Sequence, residues 1–108
     1  MRTIAAIATP LGEGGISAIR ISGENALEIA EKIFAPVSTS LTATQMQGYT
    51  CAYGNIINGT ETVDDGVLTV FRAPKSYTGE DVVEISCHGG IFVTDKVLQL
   101  IFANGAAP

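Results

Sequence analysis

The residues best suited to chemistry lie in one stretch, 73–90, which reads APKSYTGEDVVEISCHGG. Its ionisable and aromatic members are Lys75, Tyr77, Glu80, Asp81, Glu84 and His88. Charged residues make up only 16% of the sequence, so their concentration beside an apolar segment is unusual. Ionisable groups gathered in this way often mark a functional site. The stretch 73–90 is therefore the leading candidate for a binding or catalytic site.

Glu84 is the most informative residue of this stretch because it lies between Val83 and Ile85. Burying a carboxylate is costly unless another group hydrogen-bonds it. One interpretation is a structural ion pair with Arg20 or Arg72, and the other is recognition of a ligand. The sequence leaves both open, and an ion-paired Glu84 would itself be a preorganised acceptor.

Arg20 presents a similar choice, since it is flanked by Ile19 and Ile21 in a predicted strand. It could occupy a rim position, where its stem packs while the guanidinium reaches water. It could equally present a fixed fork to a carboxylate or a planar ligand. The residues alone do not favour either interpretation.

His88-Gly-Gly90 is predicted to open a helix, whose free N–H groups could hold an anion. No partner for acid–base or metal chemistry is spaced around His88, so we predict no catalytic residue and no metal site. Cys51 and Cys87 lack CxxC spacing and are expected to be small buried hydrophobes in a reduced protein. The loop Gly12-Glu-Gly-Gly-Ile-Ser17 is not a dinucleotide fingerprint, because Ser17 replaces the third glycine and a strand follows. No P-loop motif occurs.

Hydrophobic periodicity predicts a single α+β domain with the element order β-β-α-β-β-β-α. The predicted strands are 3–8, 16–22, 48–57, 62–72 and 81–87. One helix is predicted from an N-cap at Ser22 to Pro36, and a second from 91 to 104 with Gly105 as its C-cap. Asn58-Gly59 indicates a hairpin turn, and 37–47 is a polar connector. We expect both helices to pack on one face of a mixed β-sheet.

The length, hydrophobicity and net charge of the chain restrict the classes of protein to which it can belong. The 108 residues suit one domain, and 46% hydrophobic residues argue against disorder. No apolar run reaches the ~18 residues of a membrane span, and nothing resembles a signal peptide. The net charge is −5 and the six basic residues are scattered, which disfavours binding of a phosphate backbone by this domain. One or two well-placed cations could still hold a small anionic ligand.

Two long segments carry a family resemblance. Residues 3–23, TIAAIATPLGEGGISAIRISG, and residues 73–90 resemble the two N-terminal signatures of the bacterial tRNA-modification GTPases called MnmE or TrmE. The segments occur in the family's order and separation, and the resemblance runs through the whole chain.

The resemblance implies a tetrahydrofolate-binding-domain-like fold, similar to that of the glycine-cleavage aminomethyltransferases. It also implies a homodimer and a 5-formyl-tetrahydrofolate-type one-carbon donor, with Arg20 and Glu84 at the folate-binding positions. A pterin presents an N3–H and a 2-amino group side by side, and a carboxylate such as Glu84 can accept both. Arg20 would then pair with Glu84 or contact the folate's polar edge.

The family's whole protein modifies carbon 5 of the wobble uridine in certain tRNAs, together with the FAD protein MnmG. We therefore expect residues 1–108 to be an N-terminal domain of a cytoplasmic, non-membrane protein that contacts tRNA only through the full complex. GTP, potassium and magnesium would belong to a GTPase domain beyond this chain, as would a further basic folate contact past Pro108. We expect this chain alone not to hydrolyse GTP.

Two other hypotheses for the function of the domain remain open. The domain could be a purely structural dimerisation module whose hairpin, 48–72, presents an edge to a second copy. A free-standing aminomethyltransferase-like enzyme fits poorly, because the chain is short and lacks a catalytic constellation.

Overall fold

The structure, a computed structural model, describes residues 2–8 and 15–108. Within this part the strands are β1 (Ile4–Ile7), β2 (Ile16–Ser22), β3 (Phe34–Pro36), β4 (Thr50–Asn58), β5 (Glu61–Phe71) and β6 (Val82–His88). The helices are α1 (Ala26–Ile33) and α2 (Ile91–Ala103), and a single 3-10 turn spans Ala43–Gln45. The α+β class is confirmed. The predicted glycine-rich loop falls partly at 12–14, which lie outside the described residues.

The six strands form one sheet in the order β1-β2-β6-β5-β4-β3. Every pairing between these strands is antiparallel, although a mixed sheet was expected. A parallel contact does occur as an isolated bridge between Ile4 and Ala107. The predicted hairpin is confirmed, with β4 and β5 joined at Gly59, whose φ of 63° suits a glycine.

Both helices pack on the same face of the sheet and contact each other, as expected. The strand register aligns one buried residue from each of four neighbouring strands beneath them: Ile19, Ile85, Leu68 and Ala52. Burying one large aliphatic side chain of this kind stabilises a fold by about 1.5–3 kcal/mol. This row makes the helix-covered face the core face of the sheet.

Side chains alternate across a strand, so the next register row points to the opposite face. That row contains Arg20, Glu84, Thr69 and Cys51, from β2, β6, β5 and β4 respectively. We call this the outer face. No helix among the described residues covers it, and the loop between β5 and β6 lies over one end. The candidate binding residues Arg20 and Glu84 therefore stand on the face that the core does not use.

The start of α1 differs from the prediction. Ser22 does not cap the helix, because it ends β2, where it pairs with Ile4 and Val82. Its hydroxyl is 2.7 Å from Thr78 Oγ1 in the loop before β6. Strand pairing thus delays the helix until Ala26, with Asn25 as the N-cap residue.

The end of α1 also differs. Phe34 was expected on the helix's apolar stripe, and it is indeed buried at 3% exposure. It is buried as part of β3, however, where it pairs with Ile56 at the edge of the sheet. Periodicity identified its burial but could not distinguish a short strand from the last turn of a helix.

No helix in the described ranges is both long enough and apolar enough to cross a membrane.

Candidate functional site

Arg20 and Glu84 are direct cross-strand neighbours on the outer face. Arg20 Nε and Nη2 donate to Glu84 Oε2 at 3.1 and 3.0 Å. The Arg20 side chain keeps 35% exposure and that of Glu84 23%, so the pair is partly buried rather than sunk in the core. The structure selects Arg20 over Arg72 as the partner of Glu84.

The geometry of this pair leaves acceptor capacity. Both guanidinium donors converge on Oε2, and no hydrogen bond to Glu84 Oε1 occurs among the described residues. Because β2 and β6 fix both backbones, the carboxylate is held on a rigid element, which favours a defined binding geometry. The arrangement can accept further hydrogen bonds from a ligand that approaches the outer face.

An aromatic ring closes one side of the pair. The guanidinium carbon of Arg20 lies 4.1 Å from the centroid of the Tyr77 ring, within the range of a cation–π contact. Tyr77 packs edge-to-face on Phe71 with centroids 5.4 Å apart, and Phe71 packs similarly on Tyr49 at 6.1 Å. The three rings form a continuous row that begins at Arg20.

These rings line a cavity of about 410 Å³, together with Lys75 and Ser76. That volume is in the range of small-molecule sites, which are mostly apolar with a few placed polar groups. Here the polar residues include Lys75 and Ser76 in the lining and, next to Tyr77, the ion pair of Arg20 and Glu84. The site suits an elongated aromatic ligand with a hydrogen-bonding head.

The loop between β5 and β6, residues 72–81, is held by its own polar groups. Asp81 Oδ1 accepts the N–H of Ala73 at 2.9 Å, and Ser76 Oγ accepts that of Gly79 at 3.0 Å. Tyr49 donates its hydroxyl to the carbonyl of Lys75 at 2.6 Å. The Ala73–Pro74 peptide bond is cis. These contacts fix the position of Tyr77 over the outer face.

The remaining charged residues of 73–90 divide between support and lining. Asp81 supports the loop and Glu80 lies within it, as expected for loop and strand-edge residues. Lys75 was placed with them but lines the cavity. Arg72 instead donates to the carbonyl oxygens of Thr44 and Met46, which ties the polar connector to β5.

The expectation that His88 has no partner is wrong. Its Nδ1 lies 2.6 Å from Asp64 Oδ1 and 3.6 Å from Asp65 Oδ1. The hydrogen bond that the His88 ring donates to Asp64, with the charges of both aspartates, raises the pKa of His88. Burial alone would raise the pKa of Asp64, but its bonds to the His88 ring and backbone outweigh this and lower it.

The two cysteines also differ from each other. Cys87 is buried as expected, and burial followed by the charge of Asp64 raises the pKa of its thiol to about 11. Cys51 is exposed on the outer face, so the expectation of burial is wrong for it. The strand alternation places it there, since its neighbour Ala52 belongs to the core.

Sequence reasoning missed Tyr49, Phe71 and Asp64 as site residues. Tyr49 and Asp64 lie 26 and 24 positions from the residues they contact, so local spacing carries no sign of those contacts. Phe71 is close to Tyr77 in sequence, but its side is set by the pairing of β5. The available signal was the pairing of the predicted strands, here β5 with β6. Once β5 is paired with β6, Phe71 lies opposite Val82 and Asp64 comes close to His88.

Residues 3–108 match a protein-family model described as the N-terminus of the GTP-binding protein TrmE. The chain is 51% identical over 106 residues to the tRNA modification GTPase MnmE of Lactobacillus johnsonii, covering 96% of this chain and 22% of that protein. It is 50% identical over 105 residues to the enzyme of the same name from Carboxydothermus hydrogenoformans, covering 95% and 23%. The chain thus spans less than a quarter of the length of these relatives. Because the family model covers nearly the whole chain, the protein belongs to the TrmE N-terminal domain family.

Proposed function

We propose that this domain binds a reduced folate of the 5-formyl-tetrahydrofolate type at the outer face, with Glu84 as the anchor of the pterin ring. The observation that carries the proposal is the Arg20–Glu84 pair, held on two rigid strands and adjoining an aromatic cavity. Its role is binding rather than catalysis.

The pterin head matches the free acceptor capacity of Glu84. The N3–H and the 2-amino group are neighbouring donors, and a carboxylate accepts both in the way it accepts from a guanidinium. Arg20 fixes the orientation of the carboxylate through its two bonds to Oε2. The pair therefore remains intact when the ligand binds, and Oε1 and the remaining lone pairs of Oε2 serve the pterin.

The cavity matches the rest of the molecule. The row of Tyr77, Phe71 and Tyr49 offers ring faces and edges to the aminobenzoyl ring. Lys75 supplies a cation for the glutamate carboxylate at the far end. In a domain of net charge −5, such local cations are what allow an anionic ligand to bind.

Calorimetric titration of 5-formyl-tetrahydrofolate tests the anchor. Glu84→Gln keeps the side-chain shape but removes the charge and one acceptor. Hydrogen bonds to a charged group contribute about 1.5–3 kcal/mol, so the affinity should fall about 10- to 100-fold. Glu80→Gln, the same change in the adjoining loop, is the matched control and should bind normally. If Glu84→Gln and the wild type bound the folate with equal affinity, Glu84 would not be the anchor of the pterin ring.

We further propose that the outer face carries the homodimer contact. Four large side chains there are exposed on strands β1, β2, β4 and β5: Ile4 at 46%, Ile16 at 69%, Tyr53 at 46% and Val67 at 36%. Exposed apolar side chains on one face of a sheet favour association. The hairpin could offer the expected edge only along β4, because β5 pairs with β6, and β3 pairs with just Gly54–Ile56 of β4.

Light scattering tests the dimer. The wild type should have twice the chain mass, and Val67→Lys should be a monomer because a charge is forced into the contact. Leu41→Lys, at an exposed site in the polar connector, should remain dimeric. A monomeric wild type at high concentration would refute the proposal. A dimer that binds no folate would favour the alternative of a purely structural dimerisation module.

For the longer protein, we propose the activity that the relatives' names state, modification of tRNA by a GTPase. The GTP-hydrolysing unit, the FAD protein partner MnmG and a cytoplasmic location belong to this proposal. Its test is complementation of a tRNA-modification defect by a full-length gene carrying Glu84→Gln, which should fail if the folate site supplies the one-carbon unit.

A further inference from the structure

A second cluster of polar side chains lies near the start of β5 and the end of β6, where Asp65 and His88 are on the outer face. Asp64, Asp65 and His88 each offer one potential ligand atom, and these three atoms all lie within 4.8 Å of one another. Asp64 is well buried, with 11% of its side chain exposed, whereas His88 keeps 63% exposure. The cluster is thus anchored on its inner side and open to solvent on its outer side.

Each carboxylate is oriented by a donor that binds its other oxygen. Asp64 Oδ2 accepts the backbone N–H of His88 at 2.9 Å. Asp65 Oδ2 accepts the hydroxyl of Tyr53 at 2.8 Å. Both Oδ1 atoms are thereby turned towards the imidazole Nδ1. Outer hydrogen bonds of this kind orient the ligands of metal sites in proteins.

The charge balance of the cluster is uneven. Two adjacent carboxylates carry a charge of about −2, and one imidazolium can neutralise only half of it. Among the described residues, no lysine or arginine forms an ion pair with either aspartate. A divalent cation would neutralise both carboxylates and take the neutral imidazole as a third ligand.

We propose that Asp64, Asp65 and His88 form a binding site for a first-row divalent cation, with Zn²⁺ as the best match. One imidazole nitrogen with two carboxylate oxygens is a donor set that zinc accepts, at metal–ligand distances of about 2.0–2.2 Å. Ligands at that radius lie about 3–3.5 Å apart in tetrahedral or octahedral geometry. The Nδ1 distances of 2.6 and 3.6 Å to the two Oδ1 atoms bracket this spacing. Rotation of the half-exposed Asp65 side chain would bring its Oδ1 atom within bonding distance of the cation as the third ligand.

Three protein ligands leave at least one coordination position for water or an oxygen ligand. A shallow groove of about 210 Å³ adjoins the cluster, lined by Ile16, Val67 and Ser86 among others. Ile16 and Val67 also belong to the proposed homodimer contact, so a molecule in this groove would reach the open position of the cation only in the monomer. The site does not depend on the folate proposal, since it shares no residue with the Arg20–Glu84 pair.

Titration of Zn²⁺ by calorimetry tests the site, in a Cys51→Ser background that removes the exposed thiol as a competing ligand. We expect one Zn²⁺ per chain. His88→Asn and Asp65→Asn should each weaken binding by at least about 100-fold, and Tyr53→Phe by about tenfold, because loss of an outer contact costs 10–100-fold. Asp95→Asn, an exposed carboxylate on α2, is the matched control and should bind normally. Full affinity in His88→Asn would overturn the site, as would the lack of any binding tighter than millimolar in the background protein.

A second measurement needs no substitution of a ligand. The chain has a single histidine, so its ring signals in an NMR spectrum belong to His88 alone. Saturating Zn²⁺ should shift these signals, and Co²⁺ should shift them strongly and give a visible absorption band. Unchanged ring signals at saturating metal would overturn the proposal even if the variants fail to fold.

Discussion

Replacing Glu84 by glutamine should destabilise the domain by about 1 kcal/mol and leave it folded. Arg20 makes two charge-assisted bonds to the carboxylate, at 3.1 and 3.0 Å. Fully desolvated bonds of this type would contribute about 1.5–3 kcal/mol each. Both side chains stay partly exposed, at 35% and 23%, so water screens the charges. The interaction therefore belongs near the upper end of the range of about 0.2–1 kcal/mol for solvent-accessible pairs.

A double-mutant cycle with Arg20→Gln, measured by urea unfolding, isolates this interaction. The coupling free energy should be about 1 kcal/mol and should fall as salt is raised, because the pair is accessible to counterions. A total stability of about 5–15 kcal/mol leaves every variant of the cycle folded. A coupling above about 3 kcal/mol would mean a buried pair, and zero coupling would mean that the pair does not form in solution. Either result would refute the view of Glu84 as a fixed but accessible acceptor.

Three further predictions concern separate parts of the fold. At pH 8 a thiol reagent should label Cys51 rapidly and Cys87 only on unfolding, because Cys87 is buried and its pKa is about 11; equal labelling of the folded protein would contradict this. In metal-free protein, NMR titration of the single histidine should give a pKa above its ordinary value, and Asp65→Asn should lower it. A raised folded-state pKa adds stability that is present at low pH and lost as the pH rises through that pKa. The free energy of unfolding measured in urea should therefore decline across the His88 titration. A His88 pKa at its ordinary value would contradict this. Leu68→Ala should cost about 2–5 kcal/mol, because the side chain is fully buried at the centre of the sheet; a loss below about 1 kcal/mol in thermal unfolding would contradict the assigned core.

The sequence was sufficient for the elements that have strong periodicity or clear turn signals. The β4–β5 hairpin follows from Asn58-Gly59, and α2 ends as expected before Gly105, whose φ is 120°. Arg20 is flanked by Ile19 and Ile21 in the predicted strand 16–22, and strand alternation alone places it on the face opposite to theirs, as found. These features were predictable because each depends on interactions within a few residues.

Errors arose where long-range pairing overrides local preference. Ser22 is a good N-cap by type, but the pairing of β2 between β1 and β6 requires it as a strand residue. The short strand β3 exists only because β4 offers it an edge. The partners of His88 were invisible for the same reason, since they lie 23 and 24 positions away on a neighbouring strand. The Arg20–Glu84 pair itself, 64 positions apart, was one of two open choices until the register was known.

We propose the outer-face pair of Arg20 and Glu84 as a folate site. A crystal structure of this chain soaked with 5-formyl-tetrahydrofolate tests it most directly. We predict that the pterin N3–H and 2-amino group lie within hydrogen-bonding distance of the Glu84 carboxylate, with the aminobenzoyl ring against Tyr77. A ligand bound away from Glu84, or an empty outer face at saturating folate, would contradict it.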